Sequence, residues 1–208
     1  MDTLARLIDA LRCLPGVGPK SAQRMAFHLL QHHRTRGLKL AECLAEAMQV
    51  IGHCKQCNDY TDVGICNRCQ NRERDNTLIC VVETPADIQA IEQSHAFVGQ
   101  YYVLMGKISP LDGIGPEDIA LEGLKQRIQE NQVTEVILAL SPTVEGQTTT
   151  HFIQSMLAQL GVKLSQLAHG IPVGGELDLL DSNTISRALL NRGALQSLVQ
   201  SAPETEHS

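Results

Sequence analysis

The sequence predicts an α/β protein: a parallel sheet flanked by helices, preceded by a small helical region and a metal-held module. Three observations carry that prediction. From Leu78 onward, short β-branched runs alternate with helical patterns, which implies a parallel sheet covered on both faces. Ahead of it, two amphipathic stretches are joined by a glycine-rich turn. Between these regions lie two CxxC pairs in tandem.

The elements follow in order. Leu4, Leu7, Ile8 and Leu11 recur at i, i+3, i+4 and i+7, so residues 2–13 are expected as a helix capped by Asp2. "LPGVGPKS" interrupts it, and Gly18-Pro19 opens a second helix because proline suits the first helical position. Ala22, Met25, Ala26 and Leu29 form its apolar face, and Gly37 is expected to end the segment. A third helix carries Leu40, Cys43, Leu44, Ala47 and Ile51 on one side. Residues 71–77 read as a charged linker. Strands are then expected at 78–83, 101–105, 135–140 and 162–168, and helices at 86–94, 117–130, 148–160 and 184–191. The boundaries drawn are 1–52 for the helical region, 53–71 for the cysteine module, 77–172 for the sheet domain, and 173–208 for a C-terminal loop, helix and tail.

Composition narrows the function classes. The chain of 208 residues has no Trp, three Phe and three Tyr, so its core is expected to be aliphatic. Its longest purely apolar runs, such as Val136 to Leu140, fall far short of the ~20 residues a membrane helix needs. The N-terminus is amphipathic and carries acids, unlike a signal or transit peptide, and a soluble cytosolic protein is expected. Net charge is −6, but it is unevenly spread: residues 1–36 carry +4, 37–75 carry −1 and 76–208 carry −9. That asymmetry predicts a polyanion contact at the N-terminal end and a solvated or protein-facing acidic remainder.

Cys54, Cys57, Cys66 and Cys69 form two knuckles, each of which brings two thiolates to one side of a tight turn. Four soft ligands with no open position make a structural zinc site rather than a catalytic one. The loop between the pairs is too short for a core of its own, so metal must supply most of its folding energy. His53 is expected beside the site rather than in it, and Cys13, Cys43 and Cys80 are expected as small core residues. In the hairpin, Gly16 and Gly18 allow close backbone approach, the second helix presents free N–H groups, and Lys20 and Arg24 lie one turn apart. This arrangement suits DNA phosphates irrespective of base sequence, although an ordinary helical hairpin would need the same glycines. His28, His32 and His33 are expected on a solvated face. A zinc module with no DNA role also remains open.

The stretches "LPGVGPKSAQRMAFHLL", "ICVVE", "SPLDGIGPEDI", "TVEG" and "AHGIPVGGELD", with the four spaced cysteines, resemble the RecR family of bacterial recombination mediators, in order from about residue 4 to 192. The resemblance implies a helix-hairpin-helix with Lys20 and Arg24 on DNA, a four-cysteine zinc module and a Toprim domain. It implies a nucleoid-associated protein of recombinational repair that acts with RecO and RecF to help load RecA on single strands covered by SSB. Assembly as a dimer or a tetrameric ring is implied as well. Toprim enzymes hold Mg²⁺ with a glutamate ending the first strand and an acidic cluster ending the third. Here Glu83 fits the first position, but Ser141 and Thr143 stand where two aspartates would, and Gln147 where a further acid would. RecR relatives often carry asparagine at the place of Ser141 and an acid at that of Gln147. Only Glu83 and Glu145 remain, as residual acids or partner contacts. Mg²⁺ is therefore not expected, no catalytic residue is assigned, and the chain is read as a non-enzymatic scaffold. A Mg²⁺-dependent nuclease or topoisomerase-like enzyme with a reduced acidic site is the alternative. No Walker A motif stands in the sequence, and His169 is expected to serve a turn.

Overall fold

The computed structural model describes residues 2–168, 170–172 and 174–190; the expectation for His169 and the end of the last helix lie outside them. The chain separates into two compact units, residues 1–55 with 60–66, and residues 56–59 with 67–208.

The first unit holds α1 (Thr3–Leu11), α2 (Pro19–His32), α3 (Arg34–Val50) and a short antiparallel pair, β1 (Gly52–His53) with β2 (Tyr60–Thr61). Asp2 occupies the cap position of α1, but its side chain makes no capping hydrogen bond. Gly37 does not end the second helix. The break falls at His33 (φ −140°), and Gly37 lies inside α3, where a Cβ would sit 3.7 Å from Leu29. The three helices bury only Ala22 and Ala26. Leu38, Leu40, Leu44 and Met48 on α3 are all more than half exposed. Cys13 and Cys43 are exposed too, contrary to the core role expected of them: Cys13 falls in the turn beyond the end of α1, and nothing within the unit covers the apolar side of α3 that carries Cys43.

The second unit is the sheet. After a single-turn helix α4 (Asn67–Gln70) come β3 (Asp75–Val82), α5 (Pro85–Gln93), β4 (Gly99–Val103), α6 (Leu121–Glu130), β5 (Glu135–Ala139), α7 (Val144–Leu157), β6 (Lys163–Gln166) and α8 (Ser182–Leu190). The strands run in the order β4-β3-β5-β6, all parallel. Pleating sends Ile79 and Val81 of β3 to one face and Cys80 and Val82 to the other. The first face packs Leu124 and Ile128 of α6 and Ile153 and Leu157 of α7; the second packs Ile88 of α5. Cys80 is thus a core residue, its thiol pushed up to about 12 by burial.

Two boundaries differ from the sequence expectation in an informative way. β3 starts at Asp75, because the polar residues before Leu78 still bond to neighbouring chain: Asp75 opposes Gly99 and donates its N–H to the Val98 carbonyl at 2.9 Å, and the Thr77 carbonyl accepts the Thr134 N–H at 2.8 Å. α7 starts at Val144 rather than Thr148, so the polar turn after β5 is largely the first turn of a helix. Thr143 caps it by accepting the Gly146 N–H at 3.2 Å.

Candidate nucleic-acid interface, metal centre and sheet edge

The hairpin between α1 and α2 is built by glycine. Gly16 adopts φ +74°, a conformation L side chains rarely take, and the turn closes through Val17 N–H to the Leu14 carbonyl at 3.1 Å. Gly18 is the extended cap of α2 with Pro19 next, and no side chain caps this end. The start of the helix therefore offers backbone N–H groups and the positive pole of its dipole. Lys20 and Arg24 are exposed, four residues apart on the same side. His28, His32 and His33 continue from them as a group of rings, with His28 and His33 centroids 4.7 Å apart. They are not part of the one group of three or more metal-ligating side chains among the described residues, which is made of cysteines.

The four cysteine sulfurs, Cys54, Cys57, Cys66 and Cys69, all lie within 4.8 Å of one another, and the first three are buried. A tetrahedral ion with Zn–S of ~2.3 Å separates its sulfurs by about 3.8 Å, so the set closes around one ion with little movement. The Cys66 N–H points at Cys54 Sγ at 3.3 Å, a contact that favours a thiolate. These residues form a metal-binding site. His53 makes no part of the sulfur set; its ring lies against Tyr60 at 5.1 Å.

The first knuckle is also stitched to the sheet. Val103 N–H donates to the Cys57 carbonyl at 2.8 Å, and the Asn58 amide donates to the Val103 carbonyl at 2.8 Å. The knuckle thus covers the end of edge strand β4, where unpaired backbone would otherwise invite foreign strands. Arg127 of α6 donates to the carbonyls of Gln56 and Tyr101. Arg68, from α4, binds Asp59 at 2.8 Å and lies over the Tyr101 ring. Neither Asn58 nor Arg127 carries a motif, so spacing gave no signal for this role.

At the same carboxyl end of the strands, the chain reverses its direction of travel between β3 and β5, the crevice where open α/β sheets bind ligands. Glu83 follows β3 there, but it is buried. One carboxylate oxygen accepts the Ser141 N–H at 2.8 Å and the other the Ser141 hydroxyl at 3.0 Å. Gly146 completes this packing: a Cβ there would lie 2.0 Å from the Ser141 carbonyl oxygen and 3.2 Å from Glu83. Glu145, in the first turn of α7, pairs with Lys107 at 3.7 Å. Its carboxyl is held below the ordinary value, first by its own backbone N–H, then by the Thr143 hydroxyl and, more weakly, by Lys107; desolvation opposes them. Lys107 could not be found from the sequence, because its pairing depends on how the loop after β4 returns to α7, pinned by Ile108 N–H to Thr149 Oγ1 at 2.9 Å.

Residues 4–48 match the family model "RecR, helix-hairpin-helix", 77–168 match "Toprim domain", and 170–192 match "RecR, C-terminal". Proteins named Recombination protein RecR from Legionella pneumophila strains Corby and Paris are each 65% identical over 195 residues, covering 94% of this chain and 99% of theirs.

Proposed function

The chain belongs to the RecR family of recombination proteins, and from that premise we propose that it is a non-enzymatic DNA-binding mediator of recombinational repair. It grips DNA through the hairpin and hands it on with RecO and RecF, so that RecA loads on single strands covered by SSB, in the cytoplasm at the nucleoid. The observation that carries the reading is the hairpin itself: Gly16 at positive φ, an uncapped helix start, and exposed Lys20 and Arg24 behind it. Such contacts neutralise phosphates and release counterions without reading bases. Replacing Lys20 and Arg24 together by Ala should weaken DNA binding and reduce the slope of log affinity against log salt by about 1.4 for single strands. An unchanged affinity and slope would remove the hairpin from the DNA interface.

The ion is zinc, held by the four cysteines as a structural centre that fixes the knuckles, with no open position for chemistry. Metal analysis of purified protein should give one zinc per chain, and none after Cys66→Ser. The chain works as a homo-oligomer, a dimer or a ring of four. The support is the apolar side of α3, where Leu44 and Met48 are 56% and 73% exposed.

The sheet edge supports a scaffold over a Mg²⁺-dependent nuclease. A hard cation needs carboxylate oxygens turned toward it. Glu83 spends both of its oxygens on Ser141, and Glu145 already faces an ammonium. Glu145, half-buried beside Lys107, is a charge that a basic partner such as RecO can share. Glu145→Ala should then slow association with RecO and flatten its salt dependence.

A further inference from the structure

The outward face of α2 that carries Lys20 and Arg24 continues well past the hairpin. Lys20, Arg24, His28 and His32 recur at every fourth residue and so form one ridge. Gln23, Phe27 and Gln31 form the ridge beside it. Ala22 and Ala26, both fully buried, take the packing side of the same helix, which turns these two ridges away from the unit. Between the ridges lies an open cavity of about 400 Å³ with no acidic residue in its lining. Phe27 lines it and is 40% exposed.

We propose that this face is a single-strand track, in which Phe27 is a stacking platform for an unpaired base and the Lys20–His32 ridge follows the phosphates. The proposal deepens the DNA-binding reading of the hairpin and rests on it. Base–aromatic stacking tolerates any sequence because every base has a π-face, but a base held in a duplex keeps both faces covered by its neighbours. A basic hairpin alone serves single and double strands alike; an exposed aromatic in the same groove favours the single strand. Gln23 and Gln31 flank the ring with amides that can both donate and accept, so they suit base edges or phosphates without selecting a sequence. The charge fits the occupant, since residues 1–36 carry +4 in a chain of net charge −6. From Lys20 to His32 the ridge rises about 18 Å, long enough to follow several phosphates of one strand.

The test uses the full zinc-loaded chain with an oligo(dT) strand and a blunt duplex. Phe27→Leu keeps apolar bulk at the site and removes the π-face, so the ratio of single-strand to duplex affinity should fall at least about fivefold. Phe27→Tyr should restore the ratio. The chain has no Trp, so Phe27→Trp places a single reporter at the site, and its emission should be quenched by oligo(dT) but not by the duplex. An unchanged ratio in Phe27→Leu, with Trp emission indifferent to oligo(dT), overturns the proposal. So does a Phe27→Leu protein that binds oligo(dT) normally but has a smaller mass in solution, since the face would then be a contact between copies. The Lys20→Ala, Arg24→Ala protein separates the two levels. If it loses both DNAs while Phe27→Leu keeps its ratio, the hairpin reading stands and only the track fails; if it binds both as well as the native chain, the hairpin reading fails first.

Discussion

The sheet and the helical hairpin solve opposite problems with similar side chains. In the sheet, Val81, Val82, Val103, Leu104 and Val136 are completely buried, and helices cover both faces. In the helical unit, α1 and α3 bury no residue at all, and Leu38, Leu44 and Met48 face outward. The sheet is finished by its own chain. The helices are left to be finished by something else, in the proposed function DNA on one side and a second copy on the other. The same contrast appears in the charged groups. Glu83 at the sheet edge is satisfied internally, whereas Lys20 and Arg24 make none of the ion pairs found among the described residues.

The largest expected effect comes from the metal. Apparent binding energies of structural zinc run to about 10–16 kcal/mol, so chelation or Cys66→Ser should unfold the knuckles. Hydrogen exchange would then speed up at the Val103 amide, which is bonded to the Cys57 carbonyl, while the Leu138 and Val81 amides stay protected. Loss of protection across the whole sheet would mean that the sheet is not self-sufficient. Next is Gly146→Ala, whose methyl collides with the Ser141 carbonyl. It should cost at least about 2–3 kcal/mol and lower the melting temperature by about 5–10 °C.

Matched truncations sharpen the comparison further. Leu138→Ala removes a core side chain and should cost about 2–5 kcal/mol. Leu44→Ala, on the exposed face of α3, should leave protomer unfolding within about 0.5 kcal/mol and show itself instead as a shift in solution mass. Equal destabilisation by the two would erase the distinction. The smallest effect concerns Glu92. Burial raises its carboxyl pKa, but the Tyr101 hydroxyl and the Arg74 guanidinium outweigh burial and leave it below the ordinary value. Stability from this group is therefore present above about pH 4.3 and lost as pH falls through the lowered folded value. Urea midpoints at pH 6 and pH 3.5 should differ less in Glu92→Gln than in the native chain.

Local chemistry made much of this legible in advance. Four cysteines at CxxC spacing announce a metal site because ligand geometry is short-range, and PGVGPK announces a turn because only glycine and proline suit its dihedrals. Strand and helix alternation gave the parallel sheet, since period and β-branching survive in single segments. What escaped was non-local. Asn58 and Arg127 dock the knuckle on β4, and Lys107 meets Glu145, through contacts that exist only after folding. The polar turn after β5 misled for a different reason: its Thr143 and Gly146 read as loop residues, yet one is a helix cap and the other makes room for a close backbone approach. Cys43 misled because helical periodicity identifies an apolar side without saying what covers it.

The claim that the hairpin binds DNA while the sheet edge performs no chemistry on it meets its most direct test in one incubation. Zinc-loaded native chain, Glu83→Gln and Glu145→Gln are each held with Mg²⁺ and with supercoiled or single-stranded DNA, and the DNA is resolved for both retention and cutting. The account predicts that all three proteins retain the DNA and leave it intact. Cleavage or relaxation by the native chain that either substitution abolishes would contradict it.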